Sequence, residues 1–179
     1  EDKQTATEET ESSEETTDKE EANADEAVAE ADSDEEEAAE AEADEAEAEL
    51  EATIEVENDL RSEIVTYALQ FVGNRYKYGG TNPNTGVDCS GFTSYVMRHA
   101  AEVELPHSSG GQSRMGRQVS SSEMRPGDII CYGSGKRINH VALYIGNGQI
   151  VHASTERTGI KVSRWNYRTP VRIVNVLGD

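Results

Sequence analysis

The sequence predicts an α+β domain, helices packed on a mostly antiparallel sheet of five to six strands, behind an acidic arm that is disordered or partly helical. Three observations predict it. Charge divides the chain sharply: of 36 acidic residues in 179, 28 lie in residues 1–60 beside only two bases, Lys3 and Lys19. Residues 61–179 hold 14 bases against 8 acids, a net of +6. Within that second part, apolar residues recur at helical spacing up to about residue 100 and alternate at strand spacing after residue 128.

The arm comes first. Residues 1–33 are polar and acidic with almost no large apolar side chains, too little to offset the entropy of ordering, and read as disordered. Residues 35–52, EEEAAEAEADEAEAELEA, are helix formers by propensity, but their i,i+4 glutamates repel, so a partial, exposed helix is expected. We take residues 1–57 as the arm and 58–179 as the domain. The plain reading of the arm is a solvated spacer. The sharper one is a tether that holds the domain clear of an anionic matrix.

In the domain, Asn58 or Asp59 is expected to cap a helix whose buried face is Leu60, Ile64, Ala68, Phe71 and Val72, with Gly73 as the stop. Tyr76–Gly80 and a turn-rich stretch to Gly86 follow. Asp88-Cys89-Ser90-Gly91 then opens a second helix carrying Phe92, Val96, His99 and Ala100. Residues 106–122, rich in Ser and Gly, read as a long surface loop. Strands are expected at 128–132, 140–145, 149–154, 160–164 and 171–176, with hairpin signals between them.

Composition removes several classes. No run approaches 18 apolar residues, so no membrane span is expected. There is no GxGxxG, no phosphate loop and no CxxC, so no cofactor and no structural metal are expected. The +6 domain has no Lys/Arg cluster of the kind that binds nucleic acid, and a monomer is expected. The chain begins at Glu1 with no charged-then-apolar leader, as either a processed secreted protein or a trimmed chain would.

Cys89 sits at a predicted helix start, where unpaired N–H groups and a partial positive charge favour a thiolate. Gly91 would leave room near its sulfur, and Gly79-Gly80 would let a substrate approach the backbone. Cys131, inside Ile129-Ile130-Cys131-Tyr132, has the setting of an inert core thiol, and both cysteines are expected to be free.

His140 and His152 lie on strands joined by the segment 145–149. A two-residue turn, Asn147-Gly148, would put them on opposite faces. A three-residue loop pairs Ile145 with Gln149 and puts Val141, Leu143, Val151 and Ala153 on one apolar face. His140, Ala142 and His152 then share the other. The apolar pattern selects this second register, with the imidazoles on a diagonal and within reach of each other. A helix-start thiol, a histidine and a second polar residue to orient it make a nucleophilic constellation. His99 and His107 read as structural.

Five segments, Tyr76–Gly80, Asp88–Phe92, Arg125–Asp128, His140–Gly146 and Ile150–Ala153, together resemble the NlpC/P60 family of bacterial cell-wall cysteine endopeptidases over roughly residues 61–177. The resemblance implies a pared-down papain-like fold. It implies peptidoglycan stem peptides as substrate, cut between D-glutamate and the diamino acid, and a secreted or wall-associated location. It makes Cys89 the nucleophile, His140 the base, His152 the orienting residue and Tyr76 an aid to the oxyanion. It makes Asp88 and Ser90 contacts for the substrate's amino end. Leu105–Ser109 resembles the family's Leu-Pro-Arg-Thr-Ser stretch with His107 in place of the Arg. The helix start and an imidazolium neighbour are both expected to lower the Cys89 pKa. The competing readings are N-acetylmuramoyl-L-alanine amidase chemistry on the same scaffold, a metal site built on Cys89, His140 and His152, and a non-catalytic wall-binding module.

Overall fold

The structure, a computed structural model, describes residues 32–179, with side chains at Glu45 and from residue 47 onward. The disorder expected for residues 1–33 therefore falls, up to residue 31, outside the described residues. The first helix, α1, runs without a break over Asp32–Leu69. Asn58 and Asp59 do not cap it; they lie within it. No Gly or Pro interrupts residues 46–57, and Thr53, Ile54 and Val56 are too few β-branched residues to stop a helix already running. The acidic stretch is exposed where its side chains are described. The predicted apolar face holds at Ile64, Ala68 and Phe71, which are buried, while Val72 is exposed. Gly73, at φ +95°, ends the turn after the helix and gives its N–H to the carbonyl of Ile160.

A short hairpin, β1 (Thr81–Asn82) and β2 (Gly86–Val87), leads into α2 (Cys89–Ala101). The 106–122 stretch is not simply a surface loop. It holds the four-residue helix α3 (Ser109–Gln112) and the short strand β3 (Arg117–Gln118). Gln112 is fully buried, donating to the carbonyls of Ser90 and Pro106 and to Ser94 Oγ and accepting from Thr93 Oγ1. Periodicity does not reveal such an anchor, because a single buried amide has none.

The remaining strands are β4 (Ile129–Ser134), β5 (Arg137–Gly146), β6 (Gln149–Thr155), β7 (Gly159–Arg164) and β8 (Pro170–Asn175). They form one antiparallel six-stranded sheet with β3, in the order β3-β8-β4-β5-β6-β7. One face carries Ile129, Cys131, Val141, Leu143, Val151 and Ala153 against the helices. The other carries Ile130, Tyr132, Ala142, Ile150 and Ile173. Arg61 of α1, 3% exposed, bonds Asp128, Asp179 and the carbonyl of Pro126, which ties the helix to the start of β4. No described helix is long and apolar enough to cross a membrane.

The β5–β6 turn combines the two registers weighed from the sequence. Gly146 pairs with Gln149 across Asn147-Gly148, whose φ values of 52° and 72° are those of a type I′ turn. A shift at Ile145 then restores Tyr144↔Ile150 and Leu143↔Val151, the pairing of the three-residue loop. The bulge absorbs one residue, so the turn keeps its favoured geometry and the apolar face stays buried.

Candidate active site

Cys89 is the first residue of α2, and Asp88 caps the helix by accepting from the Gly91 N–H at 2.8 Å. The same carboxylate accepts from the Gly79 N–H at 3.0 Å and meets His107 Nε2 at 2.8 Å and Ser90 Oγ at 3.4 Å. His107 thus bonds the cap of the helix that begins with the thiol, which fits the structural part expected of it. The glycines also act differently from expectation. A Cβ on Gly91 would collide with the Gly80 carbonyl, and one on Gly80 with the Gly86 carbonyl. These positions let the Tyr76–Gly80 segment pack onto the helix start rather than opening room at the sulfur.

Cys89, Tyr76 and His140 line one cavity of about 420 Å³, together with Asn139, Tyr167 and Arg168. His152 lies behind, fully buried, with its Nδ1 2.7 Å from His140 Nε2. That bond leaves His140 Nδ1 as the nitrogen available to the cavity. Beyond His152, its Nε2 lies 3.0 Å from Ser163 Oγ on β7. Tyr132 and Tyr167 flank the pair, with ring centroids 5.9 Å from His140 and 5.4 Å from His152 respectively. Asp88 and Ser90 do not line this cavity, and Ser90 is buried. His99 stacks on Tyr95 at 4.1 Å, beside a wider groove of about 500 Å³ between α1 and α2 that holds no thiol.

Sequence reading missed Ser163, Tyr167 and Arg168. The strand alternation of β7 puts Ser163 on the face of its cross-strand partner Ile150, two residues from His152. Pairing β7 to β6 would have found it. Tyr167 and Arg168 lie in the connection to β8, where no periodicity applies.

Electrostatics overturn one expectation. Burial pushes the Cys89 thiol up, and the Asp88 carboxylate adds to this; the N–H groups of Val141, Ser90 and Cys89 only partly offset them. The capping acid that builds the helix start thus opposes the effect of the N–H groups there. Burial lowers His140 to about 4, with the charge of Arg168 adding to it, and lowers His152 to about 3, helped by His140 and Lys161. Both shifts favour a neutral thiol and a neutral imidazole over an ion pair in the cavity that the two share. Cys131, buried and free, is pushed up to about 12 by burial. Among the described residues, no three His, Cys, Asp or Glu side chains are arranged to hold a metal ion.

The NlpC/P60 family pattern matches residues 73–173. Over 108 residues the chain is 41% identical to a protein of Escherichia coli K12 named Murein DD-endopeptidase MepS/Murein LD-carboxypeptidase, covering 60% of this chain and 56% of that protein. It is 42% identical over 98 residues to the Probable endopeptidase p60 of Listeria seeligeri, covering 55% of this chain and 18% of that one. The chain thus spans about half the length of the first relative and less than a fifth of the second. Among solved structures, the NlpC/p60 domain of peptidoglycan hydrolase SagA superposes with a TM-score of 0.60 at 32% identity, over 64% of this chain and 97% of that one. The peptidoglycan hydrolase RipB from Mycobacterium tuberculosis superposes with a TM-score of 0.58 at 29% identity, over 66% and 65%.

Proposed function

This chain belongs to the NlpC/P60 family, and from that premise we propose that its 58–179 domain hydrolyses stem peptides of peptidoglycan, with Cys89 as nucleophile, His140 as base and His152 as the residue that orients the base. The observation that carries the reading is the bonded pair, His140 Nε2 to His152 Nδ1 at 2.7 Å, behind a cavity that His140 shares with a helix-start thiol.

In this reaction the Cys89 sulfur attacks the amide carbonyl carbon while its proton passes to His140 Nδ1. The carbonyl π electrons move to the oxygen, which the Cys89 N–H and the Tyr76 hydroxyl receive; such donors contribute on the order of 3 kcal/mol each. Proton transfer takes place during attack, an order that a raised thiol and a lowered imidazole favour over a preformed ion pair. The imidazolium keeps its Nε2–H and donates it as a hydrogen bond to His152 Nδ1, and His152 in turn donates its Nε2–H as a hydrogen bond to Ser163 Oγ, so each ring is held in one tautomer. His140 then protonates the departing amine as the C–N bond breaks. The thioester is hydrolysed by a water that His140 deprotonates, which releases the acid and restores the thiol.

Asp88 and Ser90 are proposed contacts for the substrate's amino end, in which case an incoming ammonium must share the Asp88 carboxylate with His107 and the helix cap. The proposed bond lies between D-glutamate and the diamino acid. A second reading, favoured by the name of the 41% identical Escherichia coli relative, is a DD- or LD-bond. The acidic segment 1–57 is proposed as a linker that holds the domain off anionic wall polymer, outside the cytoplasm. The test is digestion of purified sacculi and defined muropeptides with mass analysis of the products. Cys89→Ala is expected to release nothing, and the new amino terminus identifies the bond. Undiminished release by Cys89→Ala ends the proposal, and a new terminus at L-alanine, next to the sugar, transfers it to amidase chemistry.

A further inference from the structure

We infer that Arg168 forms an anion subsite beside the nucleophile, and that the peptide bound there carries a free carboxylate next to the bond under attack. The inference rests on the peptidase reading and adds a requirement for its substrate.

Arg168 is half-buried and lines the cavity that holds Cys89 and His140. Its partners are neutral. Nη2 donates to Asn139 Oδ1 at 3.0 Å, and the guanidinium carbon stands 5.8 Å from the centroid of the Tyr132 ring. Arg61, Arg98 and Arg125 each pair with a carboxylate, but among the described residues none lies within ion-pair distance of Arg168. The amide and the ring hold the guanidinium in place and leave most of its five N–H donors unspent. That is a preorganised fork for a carboxylate.

The position has a chemical consequence. A fixed positive charge beside His140 opposes protonation of the group that must accept the thiol proton. Unoccupied, Arg168 weakens the base. Paired with a substrate carboxylate, its field is cancelled, which removes the lesser of the two causes that lower His140, burial being the larger. The matching ligand is an acidic peptide. A γ-glutamyl linkage leaves the α-carboxylate of glutamate free on the acyl side of the scissile bond, and the diamino acid brings a carboxylate on the amine side. Both offer the same chemistry to Arg168.

Binding separates the two sources without turnover. The Cys89→Ala chain is titrated calorimetrically with L-alanyl-γ-D-glutamyl-diamino acid peptide in three forms: both carboxylates free, the acyl-side one amidated, and the amine-side one amidated. One of the two amidations is expected to weaken binding about tenfold, and which one does so names the source. With Arg168→Gln added, free and amidated forms should bind alike, and Arg168→Lys should keep part of the preference. Equal binding of all three forms, preference that survives Arg168→Gln, or no binding of the free peptide overturns the subsite. Cleavage by the unmodified chain is scored separately, so Arg168-dependent binding without turnover would retain the subsite and remove the peptidase reading.

Discussion

Lowering the pH should destabilise this domain through its two buried imidazoles. In the folded chain His140 titrates near 4 and His152 near 3, because burial disfavours the charged ring. In the unfolded chain an imidazole takes its proton near 6.5. Each therefore binds more protons unfolded than folded below about 6.5. Stability is fully present above that value and is lost as pH falls from it toward the folded pKa values. At pH 5 an unfolded imidazole is about 97% protonated and a folded one almost not at all, a difference of about 2 kcal/mol per ring and about 4 kcal/mol for both. Against a total stability on the order of 5–15 kcal/mol, that is a large fraction. Asp128 works the other way, because burial raises its pKa and protonation in acid relieves the folded state. Asp179, where burial pushes up but bonds from Arg61 and Asn175 win, stays low and acts only below the ordinary carboxylate range. The assay is urea denaturation followed by the fluorescence of Trp165, at pH 8, 7, 6 and 5, for the native sequence and His152→Gln. Between pH 6 and 5 the slope should correspond to close to two protons, and in His152→Gln to about one fewer. A flat profile from pH 8 to 5, or a slope unchanged by His152→Gln, refutes the reasoning.

Ser163→Ala leaves the His152 Nε2–H without its acceptor; kcat should fall about tenfold, the order of one hydrogen bond, with KM unchanged and most activity returning in Ser163→Thr. Alkylation of Cys89 by iodoacetamide should climb with pH up to and past 9 with no neutral plateau, since burial raises the thiol, while Cys131 stays unlabelled in the folded chain; mass spectrometry of the labelled peptides reads both. Arg61→Ala strands the buried Asp128 carboxylate without its cation. It should reduce stability at neutral pH by about 3–5 kcal/mol, measured by the same urea titration.

Several features were legible because their causes are local. A cysteine after Asp88 and before Ser90-Gly91 is a helix start wherever the helix goes, since the cap is a contact between residues three apart. Alternation along β5 and β6 put Val141, Leu143, Val151 and Ala153 on one face, and that forced His140 and His152 onto the other. The break expected at Asn58 failed for the converse reason. A residue suited to a cap stays inside a helix when nothing before it breaks the helix.

What the sequence determined by itself was thus the class of fold, the thiol at a helix end and the shared face of two histidines, all consequences of periods of two and 3.6 residues and of short-range hydrogen bonds. The environment those groups meet was set by packing between segments far apart in the chain. The bulge at Ile145 reconciles turn with ladder, Ser163 stands behind His152, His107 reaches Asp88 across 19 residues of chain, and Arg168, from the connection to β8, lines the cavity of His140. The direction of the thiol's pKa belongs to the same group. A helix end acts over one turn, but desolvation is set by every segment that covers the sulfur, and those segments are distant in the chain.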